Sequence, residues 1–357
     1  MKVLITGGAG FIGSHIVEHC LANGHDPFVV DNLSMGSQHN LPASVPLFAV
    51  DVVDRRRLTD VFREVRPDVV CHQAAQVSVK RSVQDPGFDL QSNILGLVNI
   101  CEASVGVGVR RLVHASSGGV LYGESASPTD EDQPAAPISP YGIAKWACEQ
   151  YVRYFTQQSG MTAVCLRYSN VYGIRQNPEG EAGVVAIHLE RMLRGESPVI
   201  YGNGLQTRDF VYVDDVARAN LLALTAELAD SFVAINIGTS VKTTIRKVEQ
   251  TIRRHVTDLA FRDVPPTEWC DERRAAGRVE IELPRHRPGR SAAKLEAAGQ
   301  LQRGHCSNDA MVLRLRGCAV SISEIGALLY QACDRKEGRT HGCGRGSSVW
   351  VCGLPRR

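Results

Sequence analysis

The run VLITGGAGFIG, Val3 to Gly13, narrows the choice of folds more than any other part of the chain. Four apolar or β-branched residues read as a strand. Gly7, Gly10 and Gly13 then form a GxxGxxG pattern that passes directly into a helical period near residues 11–22. Strand, tight turn and helix in immediate succession open a βαβ unit, and the same alternation continues downstream. Short apolar runs at 3–6, 27–31, 46–50, 68–72, 111–115, 163–168 and 233–237 are separated by helical segments near 55–65, 86–104, 140–158, 183–194, 213–227 and 242–255. Strands that alternate with helices in this way require a parallel sheet with helices on both faces. The expected fold is therefore α/β, a doubly wound parallel sheet of Rossmann type. A smaller C-terminal substrate-binding lobe is expected to begin where Gly, Pro and Glu become frequent, between Tyr172 and Asp209. The division follows as a dinucleotide-binding domain over 1–170, a lobe over 171–337 with part of the sheet returning near 207–237, and a disordered tail over 338–357. Within the tail region, residues 322–333 read as a helix behind a Ser321/Glu324 capping box.

Composition excludes several classes. With 43% hydrophobic and 22% charged residues and no long apolar run, the chain is expected to be neither membrane-spanning nor disordered. The lysine and apolar run at the start imitate a signal peptide, but the glycine spacing has the better explanation above, so a cytoplasmic protein is expected. Eleven cysteines without a CxxC pair indicate neither a metal site nor a disulfide framework. The net charge of +2 divides into +8 over residues 285–357 and −6 over the remainder, a local excess that does not suggest nucleic-acid binding.

In a βαβ opening, GxxGxxG lets the backbone turn tightly, lets a pyrophosphate approach the helix amino terminus, and lets helix pack on strand. Asp31, at the end of the second strand, suits the two hydroxyls of an adenosine ribose and would repel a 2′-phosphate, so NAD is favoured over NADP. Its alternative is a cap on a turn. Asp51, after the third strand, reads either as an adenine contact or as a helix N-cap. Farther on, Tyr141 and Lys145 form YxxxK near a helix start, four apart and on one face. A free tyrosine has a pKa near ~10 and needs a neighbouring cation to act as a base. Lys145 is expected to supply that charge and to hold the nicotinamide ribose.

These features, with HQAAQ (72–76), QSNILG (91–96), SSGGVLYGE (116–124), SPYGIAK (139–145), RYSNVYG (167–173) and QTRDFVYVDD (206–215), resemble the extended short-chain dehydrogenase/reductase family over residues 1–240. Within it the chain is most similar to the NAD-dependent nucleotide-sugar epimerases and dehydratases, above all the 4-epimerases of UDP-hexoses. The resemblance implies that Phe11, Ile12, Asn32, Ser34, Val52, Ala74, Ala75, Gln76, Asn93, Ser116 and Tyr168 line the cofactor. It further implies that Ser117, Gly118, Asn170, Val184, Tyr201, Arg208 and Arg287 face a UDP-sugar, with Arg208 on the diphosphate and Tyr201 by the base. Arg208 has the alternative of a salt bridge to Asp209 or Asp214. Homodimers built from the helices at 86–104 and 140–158 are implied by the same resemblance.

The stretch SSGGVLYG selects among the reactions. Its two glycines mark either a turn or a surface that another molecule approaches closely. Related dehydratases and decarboxylases carry an acid just after a catalytic Ser or Thr, whereas Gly118 to Leu121 hold no side chain able to transfer a proton. Reversible 4-epimerisation through a 4-keto sugar is therefore expected, with Tyr141 taking the 4-hydroxyl proton and NAD the hydride. A 4,6-dehydratase or decarboxylase with an acid from elsewhere, and an NAD-binding sensor without turnover, stand as alternatives. Gly118 occupies the position that usually bears the hydroxyl, for which a bound water is the expected substitute. The chain also departs from the family after Arg287-Pro288-Gly289, where Arg290 replaces an acid and AKLEAAGQ (293–300) is a faint remnant of the usual ending.

Overall fold

The computed structural model describes residues 1–123, 129–178, 183–260 and 263–270. The first half runs β1 (Lys2–Thr6), α1 (Phe11–Ala22), β2 (Asp26–Val30), β3 (Leu47–Phe48), α2 (Arg55–Val65), β4 (Val69–His72), α3 (Val79–Gln84), α4 (Pro86–Leu90), α5 (Gly96–Val107) and β5 (Arg111–Ser117). It continues with a short turn of helix, α6 (Gly118–Leu121), then α7 (Pro140–Ser159), β6 (Thr162–Tyr168) and β7 (Asn170–Tyr172). Beyond lie α8 (Val184–Leu193), β8 (Val199–Tyr201), β9 (Thr207–Arg208), β10 (Phe210–Tyr212) and α9 (Val213–Thr225). The last described elements are β11 (Phe232–Ile237), β12 (Thr243–Thr244), α10 (Ile245–Ala260) and β13 (Glu268–Cys270).

Seven strands form one parallel sheet in the order β11-β6-β5-β4-β1-β2-β3. Strands buried on both faces read as unbroken apolar runs, which is why VLIT and VVC show no polar alternation. On one face Val3, Ile5 and Val113 pack against Ile16 and Val17 of α1 and Val216 and Ala217 of α9. On the other, Leu4, Val70 and Leu112 meet Phe62 of α2, Leu97 and Ile100 of α5 and Val152 of α7. Each such large side chain contributes roughly 1.5–3 kcal/mol by leaving water. The order reverses between β1 and β4, and ligands of open α/β sheets bind in the crevice at that switch point. A smaller cluster joins Leu189 and Met192 of α8 to Val248, Ile252 and Val256 of α10 over Tyr172 and Phe210.

The doubly wound architecture is as the sequence pattern predicts, with four local differences. The third strand is only Leu47–Phe48, because the Val50 amide turns back to the Phe48 carbonyl. The helix read at 86–104 runs from Pro86 to Val107 but contains a π-helical turn over Gln91–Leu95 and is preceded by α3. The sheet return expected over 207–237 is confined to β11. Residues 207–212 pair elsewhere, β9 with β12 and β10 with β7. The first strand-end glycine opens α6 and does not extend β5. The readings of residues 285–357, including the helix at 322–333, Arg287 and the tail over 338–357, lie outside the described residues. No helix among the described residues is long and apolar enough to cross a membrane.

Candidate active site

Gly7 turns with φ of +66°, and a Cβ there would lie 2.6 Å from the Ala74 amide nitrogen. A Cβ at Gly13 would lie 2.2 Å from the Gly7 carbonyl oxygen. These two close approaches bring the start of α1 down onto the sheet at the switch point. Gly10 caps α1 with no side chain and the first turn holds no acid, so the helix amino terminus stays open to an anion. Asp31 lies at the far end of β2, 7% exposed, and accepts the Ala9 amide at 3.0 Å and the Leu33 amide at 2.8 Å. Burial raises its carboxyl pKa, and the two amide bonds oppose the rise. Asp51 binds Asn32 Nδ2 at 2.8 Å and the Val53 amide at 2.9 Å, while Asp54 caps α2, so the capping alternative for Asp51 falls away. Asn32 in turn accepts the Ser34 hydroxyl. Phe11 and Ile12 lie in the first turn of α1, with Ile12 packed on the α1 side of the sheet, and Val52 follows β3 and is buried on the opposite side.

The opposite wall is held by an amide lock. Asn93, in the π turn, accepts the Gln76 amide at 3.0 Å and donates to the Gln76 carbonyl at 3.1 Å and to Asp89 at 3.0 Å. Gln76 Nε2 also donates to Asp89 at 2.7 Å. Ala74 and Ala75 continue from β4 into this loop, and the Ala74 amide lies 3.3 Å from Thr6 Oγ1. Tyr168 closes the floor on the α9 side, its hydroxyl donating to Asn220 at 3.0 Å and receiving the Asn220 amide at 2.8 Å.

Tyr141 and Lys145 project from one face of α7, whose N-cap Ser139 accepts the Gly142 amide. Lys145 Nζ donates to the Ala115 carbonyl at 2.9 Å and lies 5.7 Å from the centre of the Tyr141 ring. The tyrosine hydroxyl has no partner among the described residues. Burial, reinforced by Asp89, pushes the Tyr141 pKa up, against the direction in which the Lys145 charge is expected to act, and burial lowers the lysine's own pKa.

Beneath this couple a polar rung crosses the sheet: Thr6, His72, His114 and Cys165 are in register on the α7 face. His72 Nδ1 meets Thr6 Oγ1 at 2.7 Å and its ring stacks on His114 at 5.4 Å. Neither nitrogen of His114, 1% exposed, has a partner among the described residues. Burial lowers the His72 pKa to about 3 and the His114 pKa well below its ordinary value, with the Lys145 charge acting the same way. Between about pH 6.5 and about 3 the unfolded chain therefore takes up protons that the folded chain refuses, and stability falls as pH falls. His114→Leu is expected to stabilise the protein by about 1 kcal/mol at neutral pH, by removing an unpaired buried polar group. It should also flatten the acid slope below about pH 6.5 by up to about 1.4 kcal/mol per pH unit, as read by denaturant titrations at several pH values.

The residues expected to face a UDP-sugar lie on β5, α6 and the small lobe. Ser116 gives its hydroxyl hydrogen to Glu149 at 2.6 Å, leaving its oxygen as an acceptor only. Ser117, in extended conformation and partly exposed, has a hydroxyl without a partner among the described residues. A Cβ at Gly118 would meet the Arg167 carbonyl at 3.3 Å and the Tyr168 carbonyl at 3.6 Å. Gly118→Ser is therefore expected to leave unfolding free energy within about 1 kcal/mol of the parent, as measured by thermal and chemical melts, because the mild crowding is offset by better helix propensity. Asn170 donates Nδ2 to the Asp209 carbonyl at 3.1 Å, beside Arg208. Arg208 is exposed, and its guanidinium bonds the Thr207 carbonyl at 2.8 Å. Asp209 is taken by Thr239 and Ser240, and Asp214 by His19 at 2.7 Å, so neither forms the salt bridge offered as an alternative for Arg208. Tyr201, at the end of β8, is 44% exposed, and Val184 starts α8.

Glu149, Arg167, Asp89 and His114 were not singled out by sequence reasoning. Glu149 had a signal, being four residues past Lys145 and eight past Tyr141 on one helix face. Arg167 had another, as a charge inside the apolar run AVCLRY. Among the described residues no group of three or more His, Cys, Asp or Glu could hold a metal ion.

The glycine turn at the switch point of a doubly wound sheet, with Asp31 after the second strand and Tyr141 and Lys145 on one helix face, is the framework of a short-chain dehydrogenase/reductase. The chain belongs to the NAD dependent epimerase/dehydratase family, whose profile matches residues 3–238. It is 43% identical to a UDP-glucose 4-epimerase of Mycolicibacterium smegmatis over 258 residues, 71% of this chain and 82% of that protein. Two solved structures are similar. A UDP-glucose 4-epimerase of Thermotoga maritima with UDP-glucose shares 43% identity at a TM-score of 0.71, covering 76% of this chain and 86% of that one. A UDP-glucose 4-epimerase of Thermus thermophilus in complex with NAD shares 45% identity at a TM-score of 0.71, covering 76% of this chain and 87% of that one.

Proposed function

We infer that this chain is an NAD-dependent isomerase that inverts C4 of a UDP-hexose, interconverting UDP-glucose and UDP-galactose. The observation that carries this reading is the Tyr141–Lys145 couple facing a floor, Gly118–Leu121, that holds no acid or base. Dehydration or decarboxylation draws on a further proton-transferring side chain there, and inversion at one carbon does not.

Residues 1–170 hold the cofactor, with Gly7, Gly10 and Gly13 admitting its pyrophosphate to the α1 terminus and Asp31 taking the adenosine ribose. When bound, NAD supplies reversible removal of hydride from C4 and a positive ring charge of the sign that opposes the burial effect on Tyr141. Tyr141 receives the proton of the 4-hydroxyl and returns it after the sugar has turned over. Lys145 orients the nicotinamide ribose. Ser117 provides the hydroxyl beside the sugar, since Ser116 is already committed to Glu149. The lobe from residue 171 onward anchors the nucleotide while the sugar moves. Arg208, exposed and unpaired with any acid among the described residues, suits a diphosphate, with Asn170 beside it and Tyr201 offering a ring to the base.

Two further statements go with this reading. The enzyme is cytoplasmic, in keeping with five buried free thiols, Cys20, Cys71, Cys101, Cys148 and Cys165. It is also a homodimer. Ile143, Trp146 and Tyr154 on the outer face of α7, with Leu90 and Leu95 near α4, expose a run of large apolar side chains that a second copy would cover. Trp146→Glu is expected to give a monomer by light scattering.

Purified protein incubated with UDP-galactose is expected to yield UDP-glucose on chromatography. A 4-keto-6-deoxy sugar or a pentose would replace the reading with a dehydratase or decarboxylase. Bound NAD with no product from plain or N-acetylated UDP-hexoses would replace it with a sensor.

A further inference from the structure

The face of α7 that presents Tyr141 and Lys145 extends one turn further to Glu149, 1% exposed. Its carboxylate is saturated by two neighbouring strand ends. Oε1 accepts Ser116 Oγ at 2.6 Å and Arg167 Nε at 3.0 Å, and Oε2 accepts Arg167 Nη2 at 2.8 Å. Ser116 and Arg167 face one another in the β5–β6 register. Arg167 then spends Nη1 on the Tyr122 hydroxyl at 2.7 Å and the Glu131 carbonyl at 3.1 Å, and Tyr122 donates onward to Asn236 of β11 at 2.8 Å. Burial works against the Arg167 charge, but the hydrogen bonds and charge of Glu149 outweigh it and hold its pKa above the ordinary value.

A buried ion pair is weak evidence for stability, because taking two charges from water costs about as much as their attraction returns. What a bidentate pair supplies is a fixed geometry. The turn Gly118–Leu121 needs one. A Cβ at Gly119 would find only Ser117 Oγ, at 3.9 Å, so the glycine half of the floor has almost no side-chain packing, whereas the last residue, Leu121, is fully buried and its carbonyl accepts the Ala136 amide at 2.9 Å. Ser116 and Tyr122 flank the turn, and both lead to Glu149. We propose that Glu149 is a positioning residue that, through Ser116 and Arg167, fixes both ends of the glycine floor relative to Tyr141 and Lys145 and so sets the gap in which the sugar turns over. This rests on the epimerase reading above. It assigns to one carboxylate, which touches neither substrate nor cofactor, the register between the acid–base couple and the surface opposite it.

The expected signature is a loss of turnover without a loss of binding. A displacement of about 1 Å between reacting groups costs on the order of 100-fold in rate, so Glu149→Gln is expected to lower kcat about 100-fold. Tyr122→Phe, which keeps the ion pair and cuts its link to the floor together with the bond from Tyr122 to Asn236, is expected to lower kcat about tenfold, with KM for UDP-galactose and NAD affinity within about twofold in both variants. Hydrogen exchange on the same proteins is expected to speed up at residues 116–123, while β1 and β4 keep their protection. Should Glu149→Gln fail to fold, Tyr122→Phe decides alone. Full turnover in Tyr122→Phe, unchanged exchange over 116–123, or a loss of protection and NAD binding in step with kcat would each overturn the proposal. If the parent enzyme turns over no UDP-hexose, the epimerase reading fails, and the exchange comparison still decides whether Glu149 locates the floor.

Discussion

Tyr141→Phe is expected to lower kcat for UDP-galactose by about 10²- to 10⁴-fold, the range that a positioned proton-transferring side chain supplies. The substitution removes a single hydroxyl that has no partner among the described residues, so nothing described in the fold depends on it. The ring keeps its burial and its place above Lys145 Nζ. Melting temperature and NAD affinity are therefore expected to stay near the parent values. A Tyr141→Phe protein with parental turnover would remove the tyrosine from the mechanism, and one that fails to bind NAD would show the hydroxyl to be structural.

Gly13→Ala is expected to have the second large effect, on cofactor binding. Its methyl group would lie 2.2 Å from the Gly7 carbonyl oxygen, a backbone atom that no rotamer change can clear. Either α1 stays seated and the strain of about 2–3 kcal/mol is taken from stability, or α1 backs away from the turn and its terminal amides leave the phosphate position. In the second case NAD affinity is expected to fall about 100-fold. Calorimetric titration with NAD and a thermal melt together recover the cost. A variant with parental values in both would mean that the cradle is looser than the structure has it.

Both of these residues could be found from sequence because their partners are local. GxxGxxG and YxxxK are spacings within one turn or one helix, and Asp31 follows from the end of a strand that the apolar pattern already marks. Glu149 and Arg167 were missed although each carried a hint, because their pairing depends on β5 lying beside β6 and on α7 crossing both. The His114 environment was equally hidden: its register with Thr6 and His72 exists only once three strands that are far apart in sequence are aligned. At the floor, the turn reading of the two glycines holds, but the apolar run at 111–115 does not show that β5 continues to Ser117 before the chain turns into α6.

The π turn at Gln91–Leu95 carries a last consequence. Such a turn holds one residue more than α-helical winding accommodates, and here the lock residue Asn93 lies inside it. Deleting one residue from this stretch would restore regular winding and rotate Asn93 by roughly 100° about the helix axis, away from the Gln76 amide it now accepts. The helix would become more regular and the loop that carries Gln76 would lose its anchor. Segment length at this point is thus dictated by the loop it serves, and a homologous chain one residue shorter there would need a different way to hold that wall.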